Sequence, residues 1–345
     1  MRPTARIGIA AVALAAGLSL PPLAPLDAGA NGMDAAAYCR RLGRGVNLGN
    51  ALEAPREGEW GVTLQPEFFE LIQRAGFQSV RVPIRWSAHA AAQPPYAIRE
   101  EFFRRVDWVL DQALARNLAV VLNVHHYEEM AREPESHAPR LIALWRQIAE
   151  RYRNRPALVA FELLNEPNGD LTDERWNRLV PELLAAVRRS DPERIVIVGP
   201  ANWNHVTHLE RLRLPDDPRL IATFHYYEPF RFTHQGAEWV SGSQAWLGTR
   251  WEGTEAEVGA IRRHFDLAAD WGRTHRRPIY LGEFGAYSKA EMPSRVRWTA
   301  TVAREAARRG FATAYWEFCS GFGVYDLQAK AWREPLLQAL LARDR

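Results

Sequence analysis

Apolar and polar positions follow two rhythms along this chain, and the two take turns. Short apolar runs at 45–50, 79–84, 118–125, 157–166, 194–199, 220–227, 278–283 and 311–316 read as buried strands. Between them, apolar residues recur every three or four positions over 66–75, 101–116, 137–153, 173–190, 255–275, 293–309 and 334–342. That spacing predicts helices with one face against a core. The connection after the fifth strand, at 202–209, is short and weakly patterned. Eight strand-then-helix units predict an α/β, single-domain (β/α)8 TIM barrel. A doubly wound open sheet is the alternative, but no glycine-rich nucleotide loop follows any of the runs.

The N-terminus has a pattern of its own. Arg2 and Arg6 flank an apolar stretch at 7–20, and Ala28-Gly29-Ala30 offers a small-residue cleavage site. This predicts a secretory signal over 1–30 and a catalytic-sized domain over 31–345, exported to the periplasm or beyond the cell. The stretch is too short for a retained membrane anchor, and no other membrane segment is expected. With a net charge of +3 and acidic residues interleaved among the basic ones, no stripe suggests nucleic acid. Export permits a disulfide between Cys39 and Cys319. Because one precedes the first strand and the other follows the last, two free buried thiols at opposite barrel ends are expected instead. A monomer is expected too.

Aromatics stand out. Thirteen tryptophans exceed what core filling explains, so many are expected on a surface or cleft. The segment 228–254 is long for a barrel connection and carries Phe230, Phe232, His234, Trp239, Trp246 and Trp251. Sugars present apolar C–H faces, so these rings suit a saccharide wall; the plain alternative is a satellite hydrophobic cluster.

The chemistry gathers at strand ends. Glu166 and Glu283 each close an apolar run and lie 117 residues apart, three steps of 39, which suits strands four and seven of one barrel. A carboxylate there is costly unless the strand opens into a functional mouth. Strand period two places Arg81, Asn123 with His125, Glu162 with Glu166, His225 with Tyr227, Glu283 and Trp316 on the inward side. Paired carboxylates on one rim are what glycosidic cleavage requires. Glu162 sits deeper, where an ion pair with Arg81 is the better reading. His125 and His126 raise the question of a metal, but neighbouring strand residues point opposite ways, so no metal site and no cofactor are expected. His205 and His208, on the weak connection, and the loop charges Glu128 and Glu129 read as surface groups.

The segments Arg81-Val82-Pro83, Asn123-Val124-His125-His126-Tyr127, Leu164-Asn165-Glu166-Pro167, His225-Tyr226-Tyr227 and Gly282-Glu283-Phe284-Gly285, with Trp316, resemble glycoside hydrolase family 5 in order and spacing. Stretches around Asn50, His234 and Trp316 are similar to its bacterial endoglucanases, some of which also cleave β-mannan. The resemblance implies a retaining endo-β-1,4-glucanase acting on a polysaccharide, with Glu166 as general acid/base and Glu283 as nucleophile. It further implies that Arg81 and Tyr227 keep Glu283 charged and that Asn165 bonds the sugar 2-OH. His125 and His225 would orient sugar and acid/base, and Trp316 would floor the sugar at the cleavage point. Asn50, Glu53, His126, His234 and Trp239 would line neighbouring subsites, although Glu53 also reads as a surface charge. A β-mannanase and a non-catalytic saccharide-binding barrel are the alternatives.

Overall fold

The structure, a computed structural model, describes residues 33–342; the expected signal at 1–30 lies outside them. Eight parallel strands close into a barrel: β1 (Arg44–Asn47), β2 (Ser79–Val82), β3 (Ala119–Asn123), β4 (Val159–Glu162), β5 (Val196–Val198), β6 (Leu220–Tyr226), β7 (Ile279–Phe284) and β8 (Ala312–Tyr315). Helices connect them, and two boundaries, Pro66–Ala75 and Glu255–His275, fall where the periodicity put them. The local chemistry explains why. Pro66 fits a first helical turn, and Thr254 and Glu257 close a reciprocal capping box at the second helix.

All strands but β7 are shorter than their apolar runs, above all β4, which ends at Glu162 and not at Glu166. Several runs end in or just before left-handed residues, among them Asn50, His126 and Glu166, where no ladder can continue. One helix lacks an expectation altogether. Ala35–Leu42 buries Ala35, Tyr38, Cys39 and Leu42 at helical spacing and seals the N-terminal mouth. Its Tyr38 hydroxyl donates to the carbonyls of Val120 (2.9 Å) and Leu158 (3.0 Å).

The barrel interior is layered. Val121, Ala160, Ile197, Ile221, Ala312 and Ala314 pack against that sealing helix. Above them the inward positions turn polar: Asn47, Arg81, Asn123, Glu162, Thr223, His225 and Glu283, all buried. The outward faces of the strands carry Val80, Val120, Phe161, Phe224 and their neighbours into the core beneath the helices. Cys39 and Cys319 are free and buried, one in the sealing helix and one in the loop beyond β8.

The aromatic expectation needs dividing. Six tryptophans, Trp86, Trp145, Trp176, Trp251, Trp271 and Trp298, are buried in the core, whereas Trp60, Trp203 and Trp239 are exposed. In the long connection, Phe232 and Trp251 belong to the core and not to a wall; Phe230 and Trp239 stay exposed. Glu128 and Glu129 open a short helix, Glu128–Arg132. His205 and His208 are partly exposed and pair with Glu228 (3.7 Å) and Asp173 (3.2 Å). Among the described residues, no helix is long and apolar enough to cross a membrane.

Candidate active site

Arg81 organises the upper mouth. Its position on β2 points it into the barrel, where it is fully buried and every N–H finds an acceptor. Nε and Nη2 form a fork on Glu162 (2.6 and 2.8 Å), Nη1 reaches Asn47 (2.8 Å) and Glu283 (2.7 Å), and Nη2 also reaches Asn165 (2.8 Å). The expected Arg81–Glu162 pair thus exists, and the same cation also holds Glu283. A guanidinium only donates, so the Asn165 atom that meets it is the acceptor Oδ1. That leaves the Asn165 amide nitrogen to donate, and its bond to the Glu166 carboxyl works against the rise in that group's pKa.

Glu283 reaches the interior through a register shift. β6 pairs with β7 until Phe224, then slips so that His225 lies opposite Glu283. Gly282 makes this possible, because a Cβ there would sit 2.8 Å from Thr223 Oγ1 and 3.1 Å from His225 Nε2. The Tyr227 hydroxyl donates to Glu283 Oε2 at 2.8 Å, so both carboxyl oxygens are accepting. Burial raises its pKa, and His225, Arg81 and the Tyr227 hydroxyl act against that rise.

Glu166 is held differently. It stands beyond β4 with a left-handed backbone (φ 47°), fixed by Asn165 N–H to Val124 (2.8 Å) and by the Asn168 amide on its own carbonyl (2.7 Å). No arginine touches its carboxyl; its partner is His225 Nδ1, at 2.7 Å from Oε1. Burial raises its pKa to about 7. His225 Nδ1 is also 3.6 Å from Glu283 Oε2. Among the described residues, ligand atoms of Glu166, His225 and Glu283 lie within 4.8 Å of one another, the spacing a metal ion would need. Arg81 already supplies a positive charge there, which disfavours a second cation.

The floor and walls surround this centre. His125 stacks on Trp316 with ring centroids 5.7 Å apart and planes 9° apart. Asn123 accepts from Ile84 N–H (3.1 Å) and therefore turns its amide nitrogen to His125 Nδ1 (3.0 Å), which places the imidazole proton on Nε2. His126 departs from the alternation expected of a strand. Its left-handed backbone brings its ring to 4.5 Å from that of His125 and 5.5 Å from that of Trp60. Burial keeps both histidines neutral by lowering their pKa, that of His126 to about 4.

Glu53 is not a surface charge. It is buried, and its carboxyl accepts from the backbone N–H groups of Asn50 and Ala51, so it shapes the loop that carries Asn50. Glu317, next to Trp316, does the same for the N–H groups of Cys319, Ser320 and Phe322. On the far wall His234 stacks on Phe230 (4.1 Å) and meets Tyr227 edge-on (4.9 Å). Trp239 is 62% exposed and rests its edge on Tyr287 at 4.9 Å. Sequence reasoning missed Asn47, Glu317 and Trp60. The parity that singled out Arg81 would have found Asn47, one register step across on β1.

A (β/α)8 barrel whose C-terminal mouth holds two facing carboxyls, one gripped by a buried arginine, defines a barrel glycoside hydrolase. The chain belongs to the cellulase family, glycosyl hydrolase family 5, whose profile matches residues 43–321. It is 34% identical over 322 residues to Endoglucanase H of Acetivibrio thermocellus, a match that covers 92% of this chain and 34% of that protein. The chain thus spans about a third of the length of that curated relative. Among solved structures it is similar to Thermotoga maritima Cel5A in complex with mannotriose, at 51% identity and a TM-score of 0.88, covering 89% of this chain and all of that one. Cel5A in complex with cellobiose matches equally, at 51% identity and 0.88. The cellulose synthase subunit Z of Clostridioides difficile matches at 38% identity and 0.85, over 87% of this chain and 99% of its own.

Proposed function

We propose that this protein is an exported, monomeric, retaining endo-β-1,4-glucanase with Glu283 as nucleophile and Glu166 as proton carrier. The observation that carries this is the unequal treatment of two carboxyls whose oxygens approach within 4.8 Å. Retaining enzymes hold their carboxyls about 5–5.5 Å apart, whereas inverting ones leave room for a water at about 6.5 Å or more. Glu283 accepts from a guanidinium and a phenol, which favour its charged form. Glu166 lacks a cation, and its raised pKa keeps it protonated until it acts.

In the first step a Glu283 oxygen bonds to C1 as the C1–O bond to the leaving sugar breaks, and Glu166 gives its proton to that oxygen. In the second, water attacks C1, Glu166 takes the water proton, and the bond to Glu283 breaks. The Asn165 amide, which also bonds Glu166, would turn a donor to the 2-OH, and the Trp316 face would floor the ring. Asn50, His126, His234 and Trp239 would line the neighbouring subsites, with Glu53 acting through the Asn50 loop.

β-Mannan is a second substrate reading, supported by a similar structure holding mannotriose and another holding cellobiose. The test is release of reducing ends from carboxymethylcellulose, mixed-linkage glucan, glucomannan, mannan and xylan. Glu283→Gln should lower kcat by about 10⁴-fold on every substrate cleaved. Glu166→Gln should lose about 10²–10⁴-fold on polysaccharide, yet far less on an aryl cellobioside whose leaving group needs no proton. Near-normal activity in Glu283→Gln would overturn the assignment.

A further inference from the structure

We propose that Asn204 is a positioning residue that fixes the His225 proton on Nδ1, so that the imidazole donates to Glu166. The inference rests on Glu166 being the proton carrier. Three observations converge on it.

The first is the surroundings of Nδ1. It faces Glu166 Oε1 at 2.7 Å and Glu283 Oε2 at 3.6 Å. A nitrogen lone pair in that place would oppose the Glu283 carboxylate and, once Glu166 has given up its proton, a second carboxylate as well, whereas an N–H attracts both. Burial holds the ring neutral, with a pKa near 4, so only one nitrogen carries hydrogen. Nε2 is then an acceptor and needs a donor.

The second is what stands at Nε2. The Asn204 amide nitrogen lies 3.4 Å from it, both side chains being buried. The other charged or titratable groups around the ring are Arg81 from β2, His125 beyond β3, Glu162 from β4, Tyr227 beyond β6, and the two catalytic carboxyls. Asn204 is the hydrogen-bonding side chain the structure gives to Nε2.

The third is the backbone that delivers it. Asn202, Trp203 and Asn204 are consecutive left-handed residues (φ 58°, 57° and 53°) in the turn after β5. The turn is tied to the acid/base loop by Trp203 N–H on the Pro167 carbonyl (3.1 Å). Asparagine tolerates this conformation better than most residues. Its side chain occupies the space a Cβ on Gly199 would take, 2.3 Å from Oδ1. Oδ1 has no hydrogen-bond partner, so the end of the amide that is used is the one at His225. Asn123 treats His125 in the same way, but on the opposite ring nitrogen.

The consequence lies in the reaction's second half. Once Glu166 has given up its proton it is a carboxylate, and a donating Nδ1–H supports that form until water returns a proton. Nitrogen-15 spectra of the full chain labelled in histidine, with His225 assigned by its loss in His225→Gln, should show the proton on Nδ1. Asn204→Asp offers an acceptor of the same shape. It should add a proton on Nε2, strengthen donation to Glu166 and move the alkaline limb of kcat/KM to lower pH. Asn204→Gly suits the left-handed backbone but removes the donor. It should give a mixture of tautomers and about a tenfold lower kcat, with KM for cello-oligosaccharides within about twofold.

A proton on Nε2 in the wild type would overturn the proposal, as would wild-type histidine signals and an unmoved alkaline limb in both variants. If Glu166→Gln keeps its activity, the role of Glu166 fails, while the tautomer spectrum still judges Asn204 separately.

Discussion

The two mouths of this barrel are built from the same eight strands and are finished in opposite ways. The lower one is closed by the apolar face of a helix, whose tyrosine hydroxyl meets backbone carbonyls. The upper one buries an arginine, several carboxyls and three asparagines, with each bond of Arg81 spent on a particular partner. Burying charge is costly and breaking a buried pair more so, so such an end is not the cheapest way to hold a barrel closed. The lower mouth serves stability, and the upper mouth uses some of that stability to hold groups ready for chemistry. Substitutions should therefore separate: changes below should move Tm and leave kcat, while changes above should move kcat.

Arg81→Lys is the severest test of the upper end. Lysine keeps the charge but cannot reproduce five bonds to four side chains. Glu162, Glu283 and Asn165 would lose their common anchor. Activity should fall by about 10²-fold or more, since small misplacements at a reacting centre cost that much. Stability should fall by about 3–5 kcal/mol, measured by denaturant unfolding. If lysine restored both, the fork geometry would not matter.

Tyr38→Ala tests the other end. It removes a fully buried ring and should cost about 3–5 kcal/mol, with kcat on soluble glucan unchanged at a temperature where the variant is folded. A large fall in kcat would show that the two mouths are coupled.

The pH dependence of kcat/KM sharpens the contrast within the upper mouth. As the proposed proton carrier Glu166 would have to be protonated to act, and burial moves its pKa from 4.5 to about 7. Activity should fall as pH rises through about 7. As the proposed nucleophile Glu283 would have to be ionised, and its pKa is raised too, so the acid limb should be displaced upward from the usual carboxylate range. A profile taken with Glu166→Gln and the aryl cellobioside should lose the alkaline limb and keep the acid one.

Much of this division is legible in the sequence, and the remainder is hidden for definite reasons. Strand alternation carries Arg81, Glu162 and His225 to the interior, because a period of two holds for as long as the ladder does. It fails at Glu166 and His126, where left-handed residues end the extended chain, and at Glu283, which a register shift re-aims. No periodicity encodes such breaks. Glu53 reads equally as a subsite group or a surface charge because its partners are backbone N–H groups, which leave no mark in a sequence. The sealing helix has the spacing of Ala35, Tyr38, Cys39 and Leu42, but only eight residues in which to show it.

The smallest expected effect concerns the rim, where neither mouth's logic applies. Trp239 is mostly exposed, so removing it should cost little stability. Its orientation is set by its edge contact with Tyr287, whose hydroxyl bonds Glu238 at 2.7 Å. An indole fixed in that way would offer a flat apolar face to a sugar beyond the reacting centre, from which it is separated by His234 and Tyr227. Trp239→Ala should therefore raise KM for long cello-oligosaccharides by about two- to tenfold, the range that a ring contact of about 0.5–1.5 kcal/mol allows. The short aryl cellobioside should be cleaved as before, since it does not reach that far. Equal losses on both substrates would place Trp239 within the reacting centre and not on its approach.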